Sequence, residues 1–251
     1  MQKFLFSAWQ QYGRETLEAT SDFAIAIDDL RTKATKQFAN LNTKIDNRIS
    51  GTISVSDAKL LYCLFRYYQP KNVFEIGTWI GSSSLVMAKA LKRNGTGCIY
   101  TCDINSYYAL SQEYDDVIIR INTTSSEAIA QIPNDQKIDF VFIDGSLDQE
   151  TIDKLLPRLS DHCIIALHDF IIPEKGVHNA CQLLLASKFS YSLLQPTPLH
   201  HPFDIRSSIA LLLPSALTGD LSQYHKPRWK KRSEAYQLLI RYYLGRAIKK
   251  I

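Results

Sequence analysis

The chain has 251 residues, 45% of them hydrophobic and 22% charged, with a net charge of +4. That composition belongs to a folded domain and excludes a disordered chain, a collagen-like repeat and a small disulfide scaffold. The longest apolar runs, such as Ile209 to Leu213, are far too short to cross a bilayer, and Gln10, Gln11 and Arg14 break the brief N-terminal apolar patch, so no secretory signal is read.

Residues 1–54 read as helical. Phe23, Ile27, Leu30, Ala34, Phe38, Leu41 and Ile45 recur at steps of three and four, which places one apolar stripe on a long helix. Packing on its own domain is the default for such a stripe; covering a pocket mouth or pairing with a second subunit are the alternatives. Residues 55–213 alternate helical stretches with short apolar runs. Ser56 and Asp57 are expected to cap a helix that runs to Tyr68, ended by Pro70. Strands are expected at 72–76, 98–103, 117–121, 138–144, 163–168, 191–194 and 207–213. Helices are expected at 82–93, 125–131, 151–159 and 177–187. Several runs are apolar almost throughout, as strands buried on both faces are. This alternation predicts an α/β fold: a doubly wound, mostly parallel sheet of about seven strands, with the last two forming an antiparallel edge. Residues 214–251 are a polar linker and then a helix from about Ser233, with Leu238, Leu239, Tyr242, Tyr243 and Ala247 on its apolar face.

The charge is unevenly spread. From Lys226 to the end there are nine Lys or Arg and one acid, so the rest of the chain is net negative. Positive charge confined to a tail argues against a nucleic-acid partner. The five cysteines, Cys63, Cys98, Cys102, Cys163 and Cys181, read as reduced thiols of a cytoplasmic protein. Cys98 and Cys102 have no second pair to complete a zinc site. His200 and His201 read as an exposed loop pair.

In a doubly wound sheet, ligands bind at the carboxyl ends of the strands. The first of these ends in Glu75-Ile76-Gly77-Thr78-Trp79-Ile80-Gly81-Ser82-Ser83-Ser84. Gly77 and Gly81 bracket a tight turn, but the pattern is not the Gly-x-Gly-x-x-Gly of a dinucleotide site, whose helix N-terminus receives a pyrophosphate. A carboxylate, Glu75, is expected at the mouth instead. That suits a ligand with a cationic end and no phosphate, such as S-adenosylmethionine. Asp103 ends the second strand, where a carboxylate can accept hydrogen bonds from both ribose hydroxyls. Thr124, Ser125 and Ser126 open a helix after the third strand, either as caps or beside an adenine edge. The fourth strand ends in Asp144-Gly145 and the fifth in His168-Asp169-Phe170. Two carboxylates and an imidazole should therefore converge. Such a cluster suits a hydrated Mg²⁺, or a His168 that takes a substrate proton.

Together, residues 72–84, Asp103, Ser125 to Glu127, Phe140 to Gly145 and the Asp169 strand end resemble class I S-adenosylmethionine-dependent methyltransferases. Within that class the chain is most similar to the catechol and caffeoyl-coenzyme A O-methyltransferases, over roughly residues 50–213. The resemblance implies a Rossmann-like sheet and makes 55–213 the cofactor domain; the sequence pattern adds helical extensions, 1–54 as a cap or dimer element and 214–251 as a basic tail. The resemblance also implies that Glu75, Gly77 and Gly81, with Thr78 and Ser83 of the same turn, flank the methionine part of the cofactor. Asp103 would hold the ribose, and Ser125 and Ser126 would line the adenine, with Asp144 also at the cofactor. Asp144 and Asp169 match two metal positions of the group, whose third, normally Asn, is Phe170 here. The group's lysine shortly after Asp144 has no counterpart, as Leu147, Asp148 and Gln149 stand there. The resemblance thus implies an O-methyltransferase of a phenolic, sugar or natural-product hydroxyl, assisted by weakly held Mg²⁺ at Asp144 and Asp169, with His168 as base or orienter. The acceptor is then a small molecule, and the reduced cysteines and the N-terminal apolar stripe add the expectation of a cytoplasmic homodimer. The rival readings are an NAD(P)-dependent oxidoreductase and a non-catalytic binding or scaffold protein.

Overall fold

The computed structural model describes residues 2–40, 44–45, 48–105, 107–171, 174–186, 191–194, 207–214, 217 and 228–248. Two helices open the chain, α1 (Gln2–Glu18) and α2 (Thr20–Gln37), followed by a two-stranded hairpin of β1 (Lys44–Ile45) and β2 (Arg48–Ile49). Then come α3 (Val55–Tyr68), β3 (Asn72–Ile76), α4 (Ser82–Asn94), β4 (Cys98–Cys102), β5 (Ile118–Ile121) and α5 (Ser125–Ile129). The second half holds β6 (Ile138–Ile143), α6 (Gln149–Leu155), β7 (Leu159–Leu167), α7 (Lys175–Leu185), β8 (Tyr191–Leu194), β9 (Ala210–Pro214) and α8 (Arg228–Ile248).

Strands β3 to β9 form one seven-stranded sheet in the order β5-β4-β3-β6-β7-β9-β8. The first five pair in parallel, and β9 runs antiparallel between β7 and β8. The chain moves outward from β3 to β5, then returns to β6 on the other side of β3. That reversal is the switch point at which such sheets bind ligands.

The strands alternate their side chains between two cores, because successive residues of a strand face opposite sides. Val73, Ile99, Phe140, Phe142 and Ile164 pack with Leu60, Leu61, Leu64 and Leu91 of α3 and α4. Phe74, Tyr100, Val141, Ile143 and Ile165 pack instead with Ala128, Ile152, Leu155, Val177 and Cys181 of α5, α6 and α7. The helical additions join these cores. Phe23, Ile27, Leu30 and Ala34 of α2 are buried in the first. The Tyr62 ring meets that of Phe23 at 5.0 Å in a tilted contact, and Glu15 of α1 pairs with Arg66 at 2.7 Å. Tyr242 of α8 is buried in the second core, 5.1 Å from the His178 ring of α7.

The expected elements differ from these at their edges, for local reasons. The N-terminal stripe belongs to a helix that stops at Gln37, so Phe38 is only partly buried and Ile45 lies in the hairpin. Asn40, Asn42 and Thr43 follow, types that favour turns over helix interior. Helix α3 is capped by Ser54, not Ser56. Ser54 and Asp57 form a reciprocal capping box, with Asp57 in the third helical position. Helix α6 ends at Leu155, ahead of Pro157, and β7 already begins at Leu159. Ser207 and Ser208 precede β9 rather than belong to it. Helix α8 starts at Arg228 instead of Ser233. Leu41, His200 and His201 lie outside the described residues.

Candidate active site

Sheet register sets the site. Ile76 lies opposite Cys102 and Ile143, Cys102 opposite Ile121, and Ile143 opposite Leu167. The first residues past these strands, Gly77, Asp103, Asn122, Asp144 and His168, therefore emerge in one row. A cavity of about 630 Å³ opens over that row, a size ordinary for a small-molecule site. Its wall includes Gly77, Asp103, Ser125, Asp144, His168 and Asp169. It also includes Ser50 to Thr52, Trp79, Asn105, Thr123, Ser146 and Lys175, which were not among the expected site residues.

One half of the cavity is shaped by backbone. Gly77 has φ +93°, and a Cβ there would stand 2.9 Å from the carbonyl carbon of Asp144. Glycine thus lets the β3–α4 turn lie against the end of β6. Asp103 accepts hydrogen bonds from the backbone N–H groups of Trp79 at 2.8 Å and Asn105 at 2.9 Å. Its carboxylate is fixed at the wall by these bonds and keeps lone pairs for a ligand. The Trp79 indole N–H donates to the Ser50 carbonyl at 2.9 Å, and its ring meets Tyr107 at 5.3 Å. This contact ties residues 50–52 to the cavity. The Ser125 hydroxyl is 2.8 Å from that of Thr151.

Five residues of the expected cofactor set, Glu75, Thr78, Gly81, Ser83 and Ser126, stand behind this wall. Glu75 is not at the mouth: it is 0% exposed and accepts hydrogen bonds from Ser83 and Ser84, so those two hydroxyls are turned inward too. Burial pushes the Glu75 carboxyl up to about 7, against the opposing pull of these hydroxyls. Thr78 bonds Thr101 in the interior, Gly81 caps α4 against Leu110, and Ser126 is buried near Thr124. The reason is strand alternation. Glu75 faces the α3–α4 side of the sheet, and the sequence gives no direct sign of which side that is.

The other half is built from side chains. His168 is 8% exposed, with Nδ1 2.9 Å from Asp144 and 3.4 Å from Asp169, and Nε2 3.5 Å from Asp57. Asp57, 2% exposed, also accepts from the Ser207 hydroxyl and the Ser208 N–H, each at 2.8 Å. It thereby joins the start of α3 to the start of β9. Burial alone would lower the His168 pKa, but Asp144 and Asp57 raise it to about 10. Burial likewise works to raise Asp57, yet its bonds to His168 and Ser54 hold it below the ordinary carboxylate range. His168 is therefore a cation clamped between acids. It orients them and is poorly placed to accept a substrate proton at neutral pH.

Lys175, the first residue of α7, reaches the same carboxylates: Nζ lies 2.9 Å from Asp144 and 3.5 Å from Asp169. Its pKa is raised, with burial opposing and Asp144 and Asp169 prevailing. No spacing rule links it to Asp144 in sequence.

Asp144, His168 and Asp169 each bring a ligand atom within 4.8 Å of the others, so proximity alone would allow a metal. The donor set does not fit one. The Lys175 ammonium already lies on both carboxylates, the His168 nitrogens face Asp144 and Asp57, and Phe170 is buried in the apolar core beneath α7. Mg²⁺ needs open oxygen ligands at near-octahedral positions. The expected Mg²⁺ at Asp144 and Asp169 is thus at odds with this cluster.

Comparison with known proteins fits this geometry. The family described as a methyltransferase domain matches residues 74–170, which run from β3 to Phe170 and contain both halves' strand ends. Residues 74–170 are thus similar to a methyltransferase domain. The chain's fold is that of class I S-adenosylmethionine-dependent methyltransferases. The O-methyltransferase TomG of Streptomyces achromogenes, involved in tomaymycin synthesis and solved with SAM, is 19% identical with a TM-score of 0.54, over 75% of this chain and 89% of that one. A candidate caffeoyl-CoA O-methyltransferase from Staphylococcus aureus is 18% identical, TM-score 0.52, over 77% and 99%. An SAH-bound Podospora anserina methyltransferase is 15% identical, TM-score 0.53, over 74% and 88%. No curated protein matches the sequence. No helix among the described residues is long and apolar enough to cross a membrane.

Proposed function

We propose that this methyltransferase moves the sulfonium methyl of S-adenosylmethionine to a hydroxyl oxygen of a small phenolic, sugar or natural-product molecule. The observation that carries the reading is one cavity walled by Gly77, Asp103 and Ser125 at one part and by Asp144, Asp169 and Lys175 at another. The first set suits a nucleoside: a close backbone turn, a carboxylate for ribose hydroxyls and a small hydroxyl. The second is a charged set for orienting an acceptor hydroxyl. The SAM and SAH in two structural relatives, and the O-methyl transfer named for one of them, support the assignment. In the reaction the acceptor oxygen bonds to the methyl carbon as the carbon–sulfur bond breaks. The sulfonium becomes a neutral thioether, and the hydroxyl proton passes to the Asp169 carboxylate and on to water. Holding oxygen, carbon and sulfur in line supplies on the order of 7–11 kcal/mol in favourable cases.

The domain division into 1–54, 55–213 and 214–251, a cytoplasmic location and a homodimer formed through the helical additions belong to the same proposal. Supporting the dimer, Ile25 of α2 and Ile240, Tyr243 and Leu244 of α8 are exposed. Light scattering of the full chain tests it: a monomer mass would count against it. The cofactor reading is tested by thermal melting with S-adenosylhomocysteine and, separately, NAD⁺. The first should raise the melting temperature and the second should not. A shift with NAD⁺ alone would favour the oxidoreductase rival.

A further inference from the structure

The two carboxylates at the acceptor end are neutralised from within the chain, by a device the sequence did not reveal. Lys175 Nζ is 2.9 Å from Asp144 Oδ1 and 3.5 Å from Asp169 Oδ2, and the side chain lines the cavity while remaining partly exposed. Its placement is enforced by packing. A Cβ on the next residue, Gly176, would collide with the His168 carbonyl oxygen and the Asp169 backbone, so the start of α7 lies directly on the end of β7. Asp169 itself adopts a left-handed backbone, φ +53°, where it leaves the strand. The Phe170 N–H then donates to the Ser208 carbonyl at 2.7 Å while its ring enters the apolar core. The chain thus turns a cation toward both acids and an apolar ring away from them.

We propose that the Lys175 ammonium stands in the place of a divalent cation, making this a methyltransferase whose acceptor site is charged by lysine and needs no metal. The inference rests on the methyl-transfer reading above and assigns that site its cation. As the acceptor oxygen gives its proton to Asp169 and takes the methyl from sulfur, negative charge develops on it. A fixed ammonium beside it stabilises that charge without reorganisation at the moment of reaction. A tethered ammonium also carries one positive charge to a metal's two. That suits a site in which His168 already balances Asp144 and Asp57.

The test titrates Mn²⁺ into EDTA-stripped full-length protein and reads free Mn²⁺ by electron paramagnetic resonance, with S-adenosylhomocysteine calorimetry on the same samples. Wild type, Lys175→Ala and Lys175→Arg are compared, and Lys175→Gln replaces the alanine variant if that one does not fold. Lys175→Ala should bind Mn²⁺ roughly tenfold or more tightly than wild type, because two carboxylates lose their internal cation. Lys175→Arg keeps the charge and should bind Mn²⁺ no better than wild type. All should bind S-adenosylhomocysteine within about threefold of one another, which separates the two sites. Wild type binding Mn²⁺ as tightly as Lys175→Ala would overturn the proposal. A wild type that ignores S-adenosylhomocysteine would instead overturn the methyl-transfer reading, and with it the catalytic part of this one, whatever the Mn²⁺ result.

Discussion

The two halves of the cavity are made by different means. The half around Gly77 and Asp103 is drawn by backbone: a left-handed glycine, two N–H groups on a carboxylate, and strand ends in register. The half around His168 is drawn by side chains from four separate segments: Asp57 on α3, Asp144 after β6, His168 and Asp169 after β7, and Lys175 on α7. A backbone-built site should tolerate loss of neighbouring charges. A charge-built site should fail in stability when one member is removed, because the remaining ions are left buried and unpaired.

The largest expected effect tests that contrast on the charge-built side. Asp57→Ala removes the acid facing His168 Nε2 and one half of the α3 capping box. Breaking a buried pair from one side should cost about 3–5 kcal/mol. Urea unfolding should show that loss, while S-adenosylhomocysteine affinity of the folded variant stays within about threefold of wild type. A loss below about 1 kcal/mol would mean that the cluster is as well solvated as a surface pair.

Glu75 sharpens the comparison from behind the backbone-built half. Its carboxyl is raised from 4.5 to about 7 by burial, so the folded state holds its proton more tightly than the unfolded state does. The stability this contributes is full below pH 4.5 and is lost as pH rises through about 7. Glu75→Gln does not titrate. Its stability relative to wild type should therefore climb between pH 4.5 and 7, by about 3 kcal/mol, and then level off. A flat difference in urea melts across that range would place Glu75 in solvent, at the mouth where the sequence put it.

Gly77→Ala adds a Cβ at φ +93° against the Asp144 carbonyl carbon. It should cost about 1–3 kcal/mol in unfolding free energy and also weaken S-adenosylhomocysteine binding, since the turn must shift. The smallest effect belongs to Asp103→Ala. Affinity for S-adenosylhomocysteine should fall about tenfold, near 1.4 kcal/mol, with little change in stability. Tighter binding in either variant would contradict a backbone-built cofactor half.

The same contrast explains how much could be read in advance. Strand ends and glycine turns leave local signals, so β3, β4, β6 and the positions of Gly77, Asp103 and Asp144 were legible within a residue or so. Which face Glu75 takes depends on sheet alternation relative to helices placed elsewhere in sequence, and it was misread. The middle position of β9 in the edge group was equally hidden, since antiparallel pairing says nothing about which strand lies inward. Lys175 and Asp57 were missed as site residues because their role exists only once α3, β7 and α7 meet. The one local hint was Gly176 beside Lys175, a glycine at a helix start where backbone approaches closely.

The proposed occupant of the backbone-built end of the cavity is a sulfonium nucleoside. Isothermal titration of wild-type protein with S-adenosylhomocysteine, repeated with Asp103→Ala and Lys175→Ala, tests it most directly. Wild type should give a saturable single-site isotherm, about tenfold weaker for Asp103→Ala and little changed for Lys175→Ala. No saturable heat from wild type, together with an unmoved melting curve in both S-adenosylhomocysteine and S-adenosylmethionine, would contradict it.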